Sequence, residues 1–385
     1  MKKICFITTS RADFGTLDEL IGRVAKQRKF FVNVIVSGSH NSKVYGNTKN
    51  EIKNIKNCKI IKVKIKCINS DPKNVTMSFA DSVKKISKAL TRLRPNIFVV
   101  FGDRYEMLAA AIAAYILRIP IAHIGGGEKT SGSIDDGFRH SISKLSNLHF
   151  PVSNAYKKRL IQLGENPKTV FNYGSLNLSR IKKNSYLTKS ELETKLRFKF
   201  FKKNLILTYH PETVYPKKSI KNLNILLNSI KNFKNIGIVI TSPNADAQGI
   251  LMINFIKNFI KKNKLKNFLF VKSLGATNYL SLLKIVDGVV GNSSSGISEA
   301  PFFGIRTLNI GDRQQGRVMA PSVINCPMTK ISIIKFINII LNKKFKNKTK
   351  NNFKEFGNGK AVDKISKKLF FFDFNKYKKK VFYDI

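Results

Sequence analysis

The sequence predicts an α/β protein built from two successive Rossmann-like, doubly wound parallel sheets. Three observations predict it. Apolar strand-like runs alternate with amphipathic helical ones almost from end to end. The alternation lapses once, into a polar stretch near 174–203, and then restarts. Polar and ionisable residues collect just after the strand-like runs. Strands of a parallel sheet read as near-continuous apolar runs because crossover helices cover both faces.

Taken in order, KICFITTS, FVNVIVSG, KIIKVKI, NIFVVFGD, IPIAHI, LHFPVS and TVFNYG are the strands expected of the first sheet. GTLDELIGRVAKQ, SFADSVKKISKALTRL and NAYKKRLIQLG lie between them with helical spacing. After the lapse, LILTYH, IGIVITS, FLFVKS, GVVGN and RTLNIGD are the strands expected of the second sheet. The expected domains are residues 1–174 and 175–385, with a central cleft and with the last helix free to pack back on the first domain. A length of 385 residues suits two domains. In open α/β sheets, ligands bind beyond the carboxyl ends of the strands, so those loops are where function is sought.

Composition narrows the classes. Seventy Lys and Arg against 23 Asp and Glu give a formal charge of +47. The lysines are dispersed and mixed with Asn and Ile, as in KNIKNCKIIKVKIK and KKFKNKTKNNFK, a pattern that coding bias leaves on solvated faces. With no RNP-type or zinc-finger motif, the charge is read as a solvated surface and no nucleic-acid partner is expected. Lys-rich tracts near 343–354 and 376–380 are read as exposed termini or helix faces. No window reaches the roughly 18 apolar residues of a membrane helix; the longest, MLAAAIAAYIL, stops at Arg118. MKKICFITTS runs straight into a strand without a cleavage site, a poor signal peptide. Cys5, Cys58, Cys67 and Cys326 form no C-x-x-C, which argues against a zinc ribbon or disulfide framework and fits a reducing cytoplasm.

The densest loop is HIGGGEKTSGSIDDGFRH at 123–140. Ser133 and Asp136 fit a capping box, which places Asp135 and Asp136 in a first helical turn. Arg139 and His140 follow them at i+4. A capped helix with two ion pairs would explain this stretch alone. It does not explain six polar clusters after six strands. The others are SRADFG with Arg11, Asp103-Arg104, His210-Pro211-Glu212, PNAD with Asn244, and SSSGISEA.

Ser293, Ser294, Ser295 and Gly296 precede a short helix, whose N–H groups suit a diphosphate. Neither a Walker motif nor a G-x-G-x-x-G after the first strand is present. Glu299 is placed to accept ribose hydroxyls. Arg11, Arg104 and Arg313 carry forks that match phosphate oxygens, though each alone also suits a surface ion pair.

SRADFG, GDRYEMLAAA, HIGGGE…SGSIDD…RH, TYHPET, PNADAQG and GNSSSGISEAPFFGIRTLNIGDRQQGR together resemble the hydrolysing UDP-N-acetylglucosamine 2-epimerases. The resemblance runs in order from about residue 1 to 340. It implies a glycosyltransferase-B-like fold, a cytoplasmic enzyme, a dimer or tetramer, and a nucleotide-sugar substrate. It implies no cofactor and no metal. Nucleotide-binding positions fall on His210, Asn244, Ser293, Ser294, Glu299 and Arg313, and cleft positions near the diphosphate on Arg11 and Arg104. The catalytic region falls on Asp103, His123, Asp135, Asp136 and Arg139. Many members carry a glutamate two residues after the histidine, where this chain has Gly125, so Glu128 is a candidate for part of that role. Which carboxylate is base and which is acid stays open, as does a sugar with one acetamido group or two, on UDP or GDP.

The chemistry suits these residues independently. Inverting C2 needs a carboxylate to remove a weakly acidic proton while cations stabilise the departing diphosphate. A glycosyltransferase of the same fold would need no such acidic loop. The non-hydrolysing epimerases typically carry Glu-Ala-Gly where Gly125, Gly126 and Gly127 stand here.

Overall fold

In the computed structural model, the described residues are 2–27, 29–41, 57–65, 71–212, 218–243, 248–342 and 354–385. They form two compact units. Unit one comprises Met1–Lys129, Ile134–Lys182 and Lys354–Ile385; unit two comprises Thr130–Ser133 and Lys183–Phe353. The division therefore falls after Lys182, not at 174, and the chain's last segment belongs to unit one.

Unit one holds strands β1 (Lys2–Thr8), β2 (Phe30–Val36), β3 (Cys58–Lys62), β4 (Ile97–Phe101), β5 (Ile121–Ile124) and β6 (Leu148–Phe150). Its helices are α1 (Arg11–Ala25), α2 (Pro72–Leu93), α3 (Tyr105–Ile116), α4 (Asp135–Leu145), α5 (Asn154–Gln162) and α6 (Leu176–Lys183). The sheet is parallel in the order β3-β2-β1-β4-β5-β6, with Ile4 level with both Val32 and Ile97. Side chains alternate between two cores. Ile4, Phe6, Val32 and Val99 face one, while Cys5, Ile7, Ile35 and Val100 face the other. Burial on both faces is why these strands are apolar throughout. The strand order reverses between β1 and β4, a crevice where doubly wound sheets take ligands.

Unit two repeats the plan with β7 (Lys203–Thr208), β8 (Ile236–Thr241), β9 (Phe268–Val271), β10 (Gly288–Gly291), β11 (Arg306–Ile310) and β12 (Val323–Cys326). Helices α7 (Lys189–Leu196), α8 (Lys218–Ile230), α9 (Gly249–Lys262), α10 (Gly275–Ile285), α11 (Ser295–Ser298) and α12 (Lys330–Leu341) connect or precede them. The order is β12-β11-β10-β7-β8-β9, all parallel, so the reversal lies between β7 and β10. The last helix, α13 (Ala361–Phe371), returns to unit one, where Ala361, Val362, Ile365 and Leu369 join the core that α1 covers.

The assignment of strands and helices differs from the sequence expectation in three places. TVFNYG is not a strand. Only Val170 bridges to His149, and the Asn172 side chain accepts from Gly174 N–H, turning the chain where a ladder would continue. β12 carries little sequence signal because its short VINC run is only partly buried at the sheet edge. The polar lapse contains α6 and α7, the latter started by a capping box between Thr188 and Glu191. Among the described residues no helix is long and apolar enough to cross a membrane. MLAAAIAAYIL is instead α3, whose buried alanines pack against the sheet and α2. Cys5, Cys58 and Cys326 are free thiols, and Cys67 lies outside the described residues.

Candidate active site

The turn from β1 to α1 shows what SRADFG does. Ser10 caps α1 and Asp13 closes the capping box. Asp13 is buried and accepts from Thr8 Oγ1 (2.7 Å), Thr9 N (2.9 Å) and Ser10 N (2.9 Å). Those donors satisfy the buried carboxylate oxygens and fix the turn beside the switch point. Arg11 opens α1, and its side chain lies outside the described residues. Arg104, after β4, places its fork on the buried Glu106 carboxylate through Nε (3.1 Å) and Nη2 (3.2 Å).

Around α4 the acidic residues gather on one guanidinium. Arg139 is only 1% exposed. It donates to Asp103, to Asp136 Oδ1 (3.0 Å) and to the Glu128 carbonyl (3.1 Å). Burial works against its charge, but Asp103, Glu128 and Asp136 more than offset this and hold the proton more firmly than usual. Asp135 and Glu128 are half-buried nearby in sequence, and His140 Nε2 lies 3.6 Å from Asp136. The expected Ser133 cap is not the one formed. α4 begins at Asp135, with Ile134 in the cap position in a helical conformation that offers no side-chain oxygen. The pairing of Asp136 with His140 at i+4 is present, while Arg139 reaches Asp136 at i+3 and leaves the helix for Asp103.

His123 is fully buried within β5. Its Nε2 lies 2.9 Å from the Gly102 carbonyl, which only accepts, so the proton is assigned to Nε2; its Nδ1 lies 3.0 Å from Ser143 Oγ. Burial pushes its pKa down to about 3. Both nitrogens are engaged, so the ring joins the Gly102 carbonyl, next to Asp103, to α4. Because the unfolded chain binds this proton from its ordinary 6.5 down to about 3 and the folded one does not, stability falls as pH falls through that window. His123→Gln keeps a donor for Gly102 and is expected to flatten part of the acid limb of a stability–pH curve. An unaltered limb would mean His123 does not titrate on unfolding.

The three glycines now have a reason. Gly125 and Gly127 sit at φ +86° and +79°, which side-chain-bearing residues rarely adopt. A Cβ on Gly126 would lie 2.8 Å from Ser143 Oγ and 2.9 Å from His123 Nδ1, and one on Gly127 would collide with the Tyr156 carbonyl. A glutamate at 125 would be strained in this loop, which is a backbone reason for Gly there.

In unit two, Asn292 stitches the switch point. It accepts from His210 N (2.6 Å) and donates to His210 O (2.9 Å), while its carbonyl accepts from Arg313 Nη1 (3.2 Å) and Gln314 Nε2 (2.8 Å). His210 is buried and its pKa lies well below the ordinary range, through burial first and the Arg313 charge second. Ser293 Oγ accepts from Ser295 N (3.4 Å), and Ser295 Oγ meets the Tyr279 hydroxyl. Ser294 occupies the cap of α11 and Glu299 its carboxyl end. Ser131 N donates to Gln315 O (3.1 Å), and Gly132 passes too close to Asp312 and Arg313 backbone to carry a Cβ. Asn244 lies outside the described residues. Asp13, Ser143 and Asn292 are site residues that the sequence motifs do not mark as such. Only Asp13 carries a signal, its S-x-x-D spacing from Ser10.

Two doubly wound units with polar groups at their switch points define a two-domain, Rossmann-like α/β protein of the glycosyltransferase-B-like class. Residues 23–370 match the family described as UDP-N-acetylglucosamine 2-epimerase. The chain is 41% identical over 325 residues to the GDP/UDP-N,N'-diacetylbacillosamine 2-epimerase (hydrolyzing) of Campylobacter jejuni, covering 84% of each. It is 37% identical over 347 residues to the polysialic acid biosynthesis protein P7 of Escherichia coli, covering 90% of this chain and 88% of that one. The fold is similar to a UDP-GlcNAc 2-epimerase from Neisseria meningitidis solved with UDP-GlcNAc, at TM-score 0.80 and 19% identity, covering 96% of this chain and 99% of that one. The chain belongs to the UDP-N-acetylglucosamine 2-epimerase family.

Proposed function

We propose that the protein is a hydrolysing 2-epimerase that converts UDP-N-acetylglucosamine and water into UDP and N-acetylmannosamine, a precursor for nonulosonic acid synthesis. The observation that carries this reading is the buried Arg139 at the centre of Asp103, Asp136 and Glu128, at the carboxyl ends of β4 and β5. A carboxylate takes the C2 proton as the C1–O bond to the diphosphate breaks, and the electron pair becomes the C1=C2 bond of a 2-acetamidoglycal. Water then adds its oxygen at C1, and C2 takes a proton on the opposite face. Asp103, Glu128 and Asp135 are assigned to these proton transfers, and Asp136 and Arg139 to holding them in place. His123, with both nitrogens engaged, is assigned a positioning role.

His210, Asn244, Ser293, Ser294, Glu299 and Arg313 are assigned to the nucleotide. Arg11 and Arg104 are assigned to the region near the diphosphate, although the bidentate pair with Glu106 weighs against Arg104. The same reading places the enzyme in the cytoplasm as a dimer or tetramer. The proton chemistry itself calls for neither a metal nor a redox cofactor. A second reading, the same reaction on a UDP- or GDP-linked 2,4-diacetamido sugar, is favoured by the name of the Campylobacter relative at 41% identity.

A panel of these nucleotide sugars, scored for free nucleotide and free sugar, separates the two readings. In D2O the product is expected to carry deuterium at C2, because the base exchanges its proton with solvent before C2 is reprotonated. Inverted product with protium at C2 would rule out elimination. Release of no free sugar from any member of the panel would rule out the hydrolysing reading.

A further inference from the structure

Lys380 comes from a tract expected to be solvated, yet its side chain is only 13% exposed. Its ammonium donates to the Ser143 carbonyl (3.2 Å), to the Ser146 carbonyl and to Glu165. Ser143 lies in the last turn of α4 and Ser146 ends it. Lys380 therefore sits at the carboxyl end of the helix whose other end carries Asp135, Asp136 and Arg139. A cation there complements the helix dipole and adds a donor to the Ser146 carbonyl and to the Ser143 carbonyl, which also accepts from Ser146 N.

The tail is built to deliver it. Asn147 Nδ2 donates to the Tyr377 carbonyl (2.9 Å), and Tyr383 N donates to the Gly164 carbonyl (2.9 Å). Phe372 and Phe374 are buried in the unit-one core. Glu165, 3% exposed, also meets His149 Nε2 at 2.8 Å and Lys144 Nζ at 3.2 Å. Burial would raise its carboxyl pKa, but His149 and the Lys380 charge hold it below the ordinary range. Ser143 then links this end to the chemistry. Its hydroxyl lies 3.0 Å from the Arg139 carbonyl and 3.0 Å from His123, which contacts Gly102 beside Asp103.

We propose that Lys380 is a positioning residue for the α4 site, clamping the carboxyl end of that helix so that Arg139 and Asp135 keep their place. The proposal rests on the catalytic reading of α4. Its signature is a proton. Burial lowers the Lys380 pKa to about 8, Glu165 opposing and Lys144 adding to the fall; Glu165, Lys144 and His149 are the charged or titratable groups at this node. Above about pH 8 the amine loses the charge that clamps the helix, so turnover falls. Stability moves the other way. The unfolded lysine keeps its proton to about 10.5, so this group's contribution to stability rises between the two values.

The test compares full-length wild type, Lys380→Met and Lys380→Arg for kcat and KM of nucleotide release from pH 7 to 10, with hydrogen exchange of α4 amides alongside. Lys380→Met is expected to lower kcat about ten- to a hundredfold, change KM less than about threefold, and speed α4 exchange about tenfold. Lys380→Arg is expected to restore kcat and move the alkaline loss to higher pH, because guanidinium keeps its charge. Unchanged kcat in Lys380→Met, with only a lower melting temperature, would reduce the tail to a stabilising strap and overturn the proposal. Should Lys380→Met fail to fold, an Arg variant whose alkaline limb coincides with wild type overturns it equally. Wild type that releases no nucleotide would sink the catalytic reading instead, and α4 exchange still decides whether Lys380 orders the helix.

Discussion

Asp103→Asn and Asp135→Asn are each expected to lower kcat about 10²–10⁴-fold, the usual loss on removing a general acid or base. Ser294→Ala, by contrast, is expected to act mainly on substrate binding, by about 0.5–1.5 kcal/mol for one neutral hydrogen bond. The contrast follows from where the residues lie. Asp103 follows β4 and meets Arg139, Asp135 opens α4, and Ser294 occupies the cap of α11 in the other unit. Steady-state kinetics on the released nucleotide checks this. Aspartate variants with near-normal turnover would return α4 to an ordinary helix start with charges that suit its dipole.

Arg139→Leu is expected to cost about 3 kcal/mol of stability as well as activity, the low end for breaking a buried ion pair. The low end applies because Asp103 and Asp136 are 26% and 29% exposed and recover some hydration, while Arg139 itself is 1% exposed. Arg139→Lys keeps the charge but not the fork that meets Asp103, Asp136 and the Glu128 carbonyl together, so activity is expected to stay low. Denaturant unfolding and turnover measured on the same samples separate the two losses. A fully active Arg139→Lys would show that only charge at this point matters, not its geometry.

The sequence by itself determined the two-sheet plan and the loops that matter. Parallel strands buried on both faces must be apolar throughout, so β1, β4, β5, β7, β8 and β10 stand out in any reading, and polar residues after them cannot belong to the core. SRADFG also carries the capping-box spacing, Ser10 and Asp13 standing three residues apart, a signal recognised only once the structure showed the box closed. What only the tertiary structure decided are meetings between residues far apart in the chain. Arg139 pairs along its own helix with Asp136, at i+3 and not the expected i+4 with Asp135, while its other partner, Asp103, comes from another strand end. Asn292 joins two strand ends that are neighbours only because the sheet order reverses there. Lys380 looked like one solvated lysine among many; its burial depends on Glu165 and two carbonyls supplied by other segments. Periodicity reports which face of an element is buried. It carries no record of which distant charge waits on that face.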